Sequence, residues 1–198
     1  MEPSIADTAN VESGVVLGDG VRVWHLAQVR ENAQLGDNSS VGRGAYVGLG
    51  VRIGDNVKIQ NFALVYEPAE VHDGAFIGPA AVLTNDHYPR AVNPDGSRKT
   101  GVDWKPVGVT VLEGASIGAR AVCVAPVTIG RWALVAAGAT VVKDVPDFAL
   151  VVGSPARRVG WVGRAGVPLV QDSDTWTCPR TGSTYTQVSD DQLKEEAR

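Results

Sequence analysis

Stepping by six residues from Ile5 lands on Val11, Leu17, Val23, Val29, Leu35, Val41, Val47, Ile53, Ile59, Val65, Val71, Ile77 and Leu83, one unbroken aliphatic register. Four positions after these, most hexads carry a small residue, among them Ala27, Ala33, Ser39, Ala45, Ala63, Ala69, Ala75 and Ala81. Glycine often follows the aliphatic residue directly, as at Gly18, Gly36, Gly42, Gly48, Gly54 and Gly78. A helix does not fit, because six is not a multiple of 3.6 and glycine and β-branched residues are frequent. The period predicts an all-β triangular coil instead. Each hexad supplies one flat face and one corner, and three hexads close a turn. Aliphatic side chains point inward and small residues fit the crowded corners. Successive coils stack as parallel strands about 4.8 Å apart, and no coil buries its interior without a neighbour.

The register breaks after Leu83 and resumes at Val111, Ile117, Cys123, Ile129, Val135 and Val141. The separation of Leu83 and Val111 is not a multiple of six, so an insertion at about 86–109 leaves and rejoins the coil. Its prolines, glycines and mixed charge predict an excursion with no helix of its own. Long loops in compact domains are mostly functional or disordered. Tyr88, Trp104, Arg90, Arg98, Lys99 and Lys105 favour a loop that packs against something; the alternative is a tolerated surface insertion.

Three hexads per turn make residues 18 apart stack on one face. Glu67 and Asn85 are so related and face outward, one above the other. His25, Arg43 and Asn61 stack on a different face. The separation of His25 and Asn85 is not a multiple of 18. Those two residues join one site only across a subunit boundary.

The remaining totals narrow the class. The 198 residues suit one domain with a short appendage: the coil over 1–170 and a capping extension over 171–198. A net charge of -4 without a basic run argues against a nucleic-acid partner. The opening "MEPSIADTAN" predicts no secretory leader, and no apolar run approaches a membrane span. Cys123 and Cys178 are too isolated for a disulfide framework or a zinc cluster. The expectation is a soluble protein of the cytoplasm. In the tail, Trp176, Cys178, Pro179, Gly182 and Tyr185 predict a turn or hairpin that caps the stack, and the polar last eleven residues a short helix or disorder.

The repeat resembles that of the hexapeptide-repeat acyltransferases. Within them, "VWHLAQV", "IGDNVKIQNFALVYEPAEV", "FIGPAAVLTNDHYPRA" and "VPDFALVVGSPARRVGWV" are similar to the sugar-nucleotide 3-N-acetyltransferases, over roughly residues 5–170. The resemblance implies a left-handed parallel β-helix, a homotrimer with intersubunit active sites, and acetyl-CoA as acetyl donor, with no metal. The implied acceptor is the 3-amine of a nucleotide sugar of the UDP-2-acetamido-3-amino-2,3-dideoxyglucuronate type, used in bacterial surface polysaccharide (lipopolysaccharide, O-antigen) biosynthesis. A dTDP-3-amino-deoxyhexose is the alternative.

On this resemblance Asn85 is a candidate to hold the amine through its amide oxygen, while Glu67 orients the substrate or acts as base. His25 contacts substrate or serves as base, or else fills an intersubunit contact. His87 is a weaker candidate base, and His72 reads as plain surface. Gln60, Asn61 and Tyr66 are candidate substrate contacts. Arg90, Arg98 and Lys99 suit a carboxylate or a diphosphate. Ala119 and Ala137 leave the groove wall low for pantetheine, and Lys143, Arg157 and Arg158 are cations for the phosphates of CoA. Each of these has a plainer reading as solvated or packed surface. Two rivals differ in class. A γ-class carbonic anhydrase needs three zinc-binding histidines, which the spacing of the three histidines here does not provide. A structural β-helix displays flat repetitive faces, unlike these varied ones.

Overall fold

The computed structural model describes residues 1–196 and consists of strands, with one three-residue 3-10 turn. Its body is a parallel β-solenoid with three faces. The first face begins at Ser4–Ile5 and climbs through Arg22–Val23, Ser40–Val41, Lys58–Ile59, Phe76–Ile77, Ser116–Ile117 and Leu134–Val135 to Ala149–Val152. The second runs from Asn10–Val11 to Thr140–Val141, and the third from Val16–Leu17 to Val127–Ile129. The register is the one the six-residue period demands: Val23 pairs with Val41, Val65 with Leu83, and Leu35 with Ile53.

Burial follows the same rule. Val29, Val41, Val47, Val65, Ile77 and Leu83 are fully buried, as are Ala63 and Ala81 at the small positions. Ser39 takes a small position with its polar atom satisfied: the hydroxyl donates to the Gly54 carbonyl at 2.7 Å and accepts the Val57 N–H at 2.9 Å. Burying a hydroxyl costs stability only when it lacks a partner.

The corners hold together through side chains that reach one coil down. Asp37, Asp55 and Asp73 each accept, through Oδ1, the backbone N–H of the corner residue below, at 2.7–2.8 Å. The next corner position has positive φ, which Asn32, Asn38 and Asn56 accept readily. Leu26, Phe62, Trp132 and Phe148 adopt it too, and the rings of Phe62 and Trp132 lie over Gly44 and Gly114.

The insertion leaves the coil after Leu83 and returns at Val109. It holds a bridge between Val92 and Arg98 and the 3-10 turn Gly101–Asp103, where Thr100 and Asp103 form a capping box. That turn is the one helical element of a loop expected to have none. The last coil is two residues short: Ile129 pairs with Val145 and Val135 with Val151. The parallel ladder then ends, and Arg157–Trp161 turns back antiparallel on Ala149–Val152.

Beyond it, Val170–Asp172, Thr175–Thr177, Thr184–Ser189 and Gln192–Glu195 form a four-stranded antiparallel sheet. Tyr185, Cys178 and Leu193 are buried in the same core as the solenoid, with the Tyr185 ring edge-on to Phe148 at 5.3 Å. A hairpin around Cys178–Gly182, in the stretch expected to hold a turn or hairpin, joins Thr175–Thr177 to Thr184–Ser189. The expected terminal helix or disorder is corrected: Gln192–Glu195 is an edge strand on Thr184–Ser189, tied down by buried Leu193 and by Arg164 to Glu195 at 2.6 Å. Composition alone does not reveal these contacts. Residues 197–198 of that stretch lie outside the described residues.

Candidate functional site

Two corners carry the candidate chemistry. Register along the first face stacks His25, Arg43, Asn61, Pro79, Ala119 and Ala137 at successive levels. The His25 ring Nδ1 lies 3.0 Å from the Thr8 hydroxyl and 3.3 Å from the Asp7 carboxylate. Asn61 Oδ1 accepts the Arg43 N–H at 2.9 Å, which fixes the amide's orientation. Trp24, His25, Ser40, Arg43, Gln60 and Asn61 line a cavity of about 260 Å³ here. Ala119 is half-buried and Ala137 exposed, both pressed against glycines of the coil below, Gly78 and Gly118.

The second face ends at the other corner, where Glu67, Asn85, Ala125 and Lys143 stack in that order. Asn85 is where the insertion closes: its backbone carbonyl accepts the Val107 N–H at 3.2 Å. Among the described residues its side-chain amide has no hydrogen-bond partner. Thr84 braces the exit by accepting the Ala125 N–H on its hydroxyl at 2.9 Å. Below it, Glu67 is half-buried, and its Oε2 is fully buried with no partner among the described residues.

The Tyr66 ring meets Tyr46 with centroids 5.2 Å apart. The Tyr46 hydroxyl lies 3.4 Å from Arg30, which in turn binds Glu12 and Glu31, each at 2.9 Å. Burial, then the negative charge of Glu67, pushes the Tyr46 hydroxyl above its ordinary range, so it remains a proton donor at neutral pH. Glu12 is held down to about 2 by the Gln28 amide and by its Glu31 and Arg30 neighbours. Sequence reasoning missed this network, although the 18-residue spacing of Glu12 and Arg30 signals it. Trp24 and Ser40 were missed as well; both face outward one residue from an inward aliphatic.

His25 and Asn85 therefore lie on different corners, and one chain does not bring them together. His87, Arg90, Arg98 and Lys99 lie on the insertion. His87 stacks on the exposed Tyr88 at 4.0 Å, and Arg90 donates to the carbonyl of Pro89 at 2.9 Å. None of the described contacts joins these four to His25 or Asn85. Lys143, Arg157 and Arg158 converge on a cavity of about 260 Å³ with Val142, Asp144 and Asp191. No three His, Cys, Asp or Glu side chains gather into a metal-holding group among the described residues. No helix of the described residues is long and apolar enough to cross a membrane.

Known proteins agree with this organisation. The family described as bacterial transferase hexapeptide (six repeats) matches residues 8–49 and 50–85, and the hexapeptide repeat of succinyl-transferase matches 108–143. Together they cover more than half of the chain, and the gap between them is the insertion. The dTDP-3-amino-3,6-dideoxy-alpha-D-galactopyranose 3-N-acetyltransferase of Aneurinibacillus thermoaerophilus is 54% identical over 52 residues, 26% of this chain and 27% of its own. The bifunctional protein GlmU of Brevibacillus brevis is 37% identical over 159 residues, 74% of this chain and 31% of its own. The chain thus spans less than a third of the length of either curated relative. The crystal structure of a hexapeptide-repeat acetyltransferase from Vibrio cholerae O1 biovar eltor, in complex with acetyl coenzyme A, superposes with a TM-score of 0.52 at 25% identity, covering 67% of this chain and 72% of that one.

Proposed function

The chain belongs to the bacterial hexapeptide-repeat transferases, and from that premise we propose that it transfers the acetyl group of acetyl-CoA to the 3-amine of a nucleotide-linked amino sugar. The observation that carries this reading is Asn85. It is pinned through its backbone where the insertion closes, its amide is open, and Lys143 stands two levels above it on the same corner. The relative crystallised with acetyl coenzyme A supports the donor. The relative acting on a dTDP-3-amino sugar supports the acceptor class and keeps a dTDP-3-amino-deoxyhexose as the second reading, beside UDP-2-acetamido-3-amino-2,3-dideoxyglucuronate.

In the proposed reaction the neutral amine attacks the thioester carbonyl carbon. The Asn85 amide oxygen accepts an amine N–H and aims the lone pair, an orientation that contributes several kcal/mol without any strong base. The tetrahedral oxyanion collapses, the C–S bond breaks, and CoA leaves as thiolate. The proton lost by the ammonium passes to Glu67 or His25 and finally to the thiolate. Because those two residues occupy different corners, the complete site forms between two copies of the chain, in a trimer. Trp24, Leu26 and Phe62, each about half exposed, give the first corner apolar surface for such a contact. Lys143, Arg157 and Arg158 receive the CoA phosphates.

The test is a thiol-release assay with acetyl-CoA and a panel of UDP- and dTDP-linked amino sugars. Turnover restricted to 3-amino sugars is expected. No turnover with any of them, or stoichiometric zinc with bicarbonate activity, would sink the proposal.

A further inference from the structure

The cation pocket above the second corner is walled on one side by the C-terminal sheet, and its three cations are not equivalent. Arg158 turns toward that sheet. Its guanidinium lies over the Trp161 ring at 4.3 Å, donates to the backbone oxygen of Asp190 at 2.5 Å, and stands 3.5 Å from the Asp191 carboxylate. Asp144, the other acid of the pocket, is tied to the coil by accepting the Thr128 N–H at 2.7 Å. Lys143 and Arg157 have no carboxylate partner among the described residues. Asp191 itself is 79% exposed and lines the same cavity.

We propose that Asp191 sets the affinity of this pocket for ligand phosphates, acting as an internal counter-anion that an incoming phosphate displaces from Arg158. The inference rests on the reading of this pocket as the donor-phosphate site. With Asp191 ionised, three cations face two carboxylates and one positive charge is left over. Neutralising Asp191 leaves two, and also removes a like-charge neighbour from the phosphate. The hairpin carrying Asp190 and Asp191 is built from the C-terminal extension, so that extension contributes to donor binding as well as to capping. Acting through Arg158, Asp191 is a positioning residue.

An exposed ion pair is weak, so the expected change is about two- to fivefold. The test titrates acetyl-CoA into the full-length chain and measures KM for both substrates, at about 50 mM and about 500 mM salt. Asp191→Asn is expected to bind acetyl-CoA about two- to fivefold more tightly at low salt, with the change in KM for acetyl-CoA and not in KM for the amino sugar. High salt shrinks the difference. Asp190→Asn removes the same charge next door without removing the carboxylate that faces Arg158, and gives a smaller gain. Equal gains from both variants, or weaker binding with a lowered melting temperature, would overturn the inference. Equal acetyl-CoA affinity in wild type and Asp191→Asn would overturn it alone, whereas failure of the wild-type chain to bind acetyl-CoA defeats the proposed function first.

Discussion

Glu67 folds back over Gly48, and its Oε2 occupies the space that a β-carbon on Gly48 would need. At equivalent corner positions Asp37, Asp55, Asp73 and Asn61 are one methylene shorter, and each accepts the N–H of the corner residue one coil below. The longer Glu67 makes no such bond. Its carboxylate oxygen is instead held buried and unpartnered at the level beneath Asn85.

Gly48→Ala tests this packing. The new methyl displaces the carboxylate and also crowds the Glu67 backbone nitrogen at 2.6 Å. Overpacking of this kind costs about 1–3 kcal/mol, and in a chain of this size about 2–4 °C of Tm for each kcal/mol. In combination with Glu67→Ala the cost is expected to be less than the sum of the two single changes, because part of the clash disappears. Thermal denaturation of the four proteins in the cycle measures it.

Asn85→Ala is expected to lower kcat about a hundredfold through loss of amine orientation, with oligomeric state and Tm close to wild type. The side chain has no partner among the described residues, so its removal leaves the fold intact, while the backbone carbonyl still closes the insertion on Val107. Near wild-type kinetics would remove Asn85 from the mechanism.

The solenoid was legible because one physical demand repeats: an inward aliphatic every six residues leaves a mark that single substitutions do not erase. The same arithmetic placed Glu67 under Asn85 and set His25 on another corner. It did not reveal that a Glu67 carboxylate oxygen is left buried and unpartnered, since that depends on the one methylene by which Glu67 exceeds Asp37, Asp55 and Asp73. Nor did it reveal the charge relations of Arg158. Its partners Asp190 and Asp191 lie in a non-repeating sheet, where no period links distant residues. The terminal strand Gln192–Glu195 was missed for the same reason, its anchoring being a tertiary contact of Leu193.

Removing the pocket's unpaired cations is expected to weaken the donor alone. Lys143→Ala and Arg157→Ala should each raise KM for acetyl-CoA about three- to tenfold at low salt, with less effect as ionic strength screens the phosphates. Both side chains are exposed and carry no described ion pair, so Tm should hold. Steady-state kinetics at two salt concentrations check this, and equal loss of affinity for donor and amino sugar would argue against a donor-phosphate role.

The charge cluster of Glu12, Arg30 and Glu31 should make the lower coils acid-sensitive. The Gln28 amide, then Glu31 and Arg30, hold the Glu12 carboxyl at about 2, against 4.5 for the free group. A carboxyl depressed in the folded state contributes stability that is fully present above the unfolded value and lost as pH falls through the folded one. The contribution of Glu12 is therefore whole above about pH 4.5 and drains between there and about pH 2. Glu12→Gln cannot ionise, so it should lower Tm at pH 7 and flatten the acid slope in that window. Its melting curve should converge with that of wild type near pH 2. Thermal melts of both proteins at half-unit intervals of pH make the comparison, and parallel curves across the window would show that Glu12 stays uncoupled from folding.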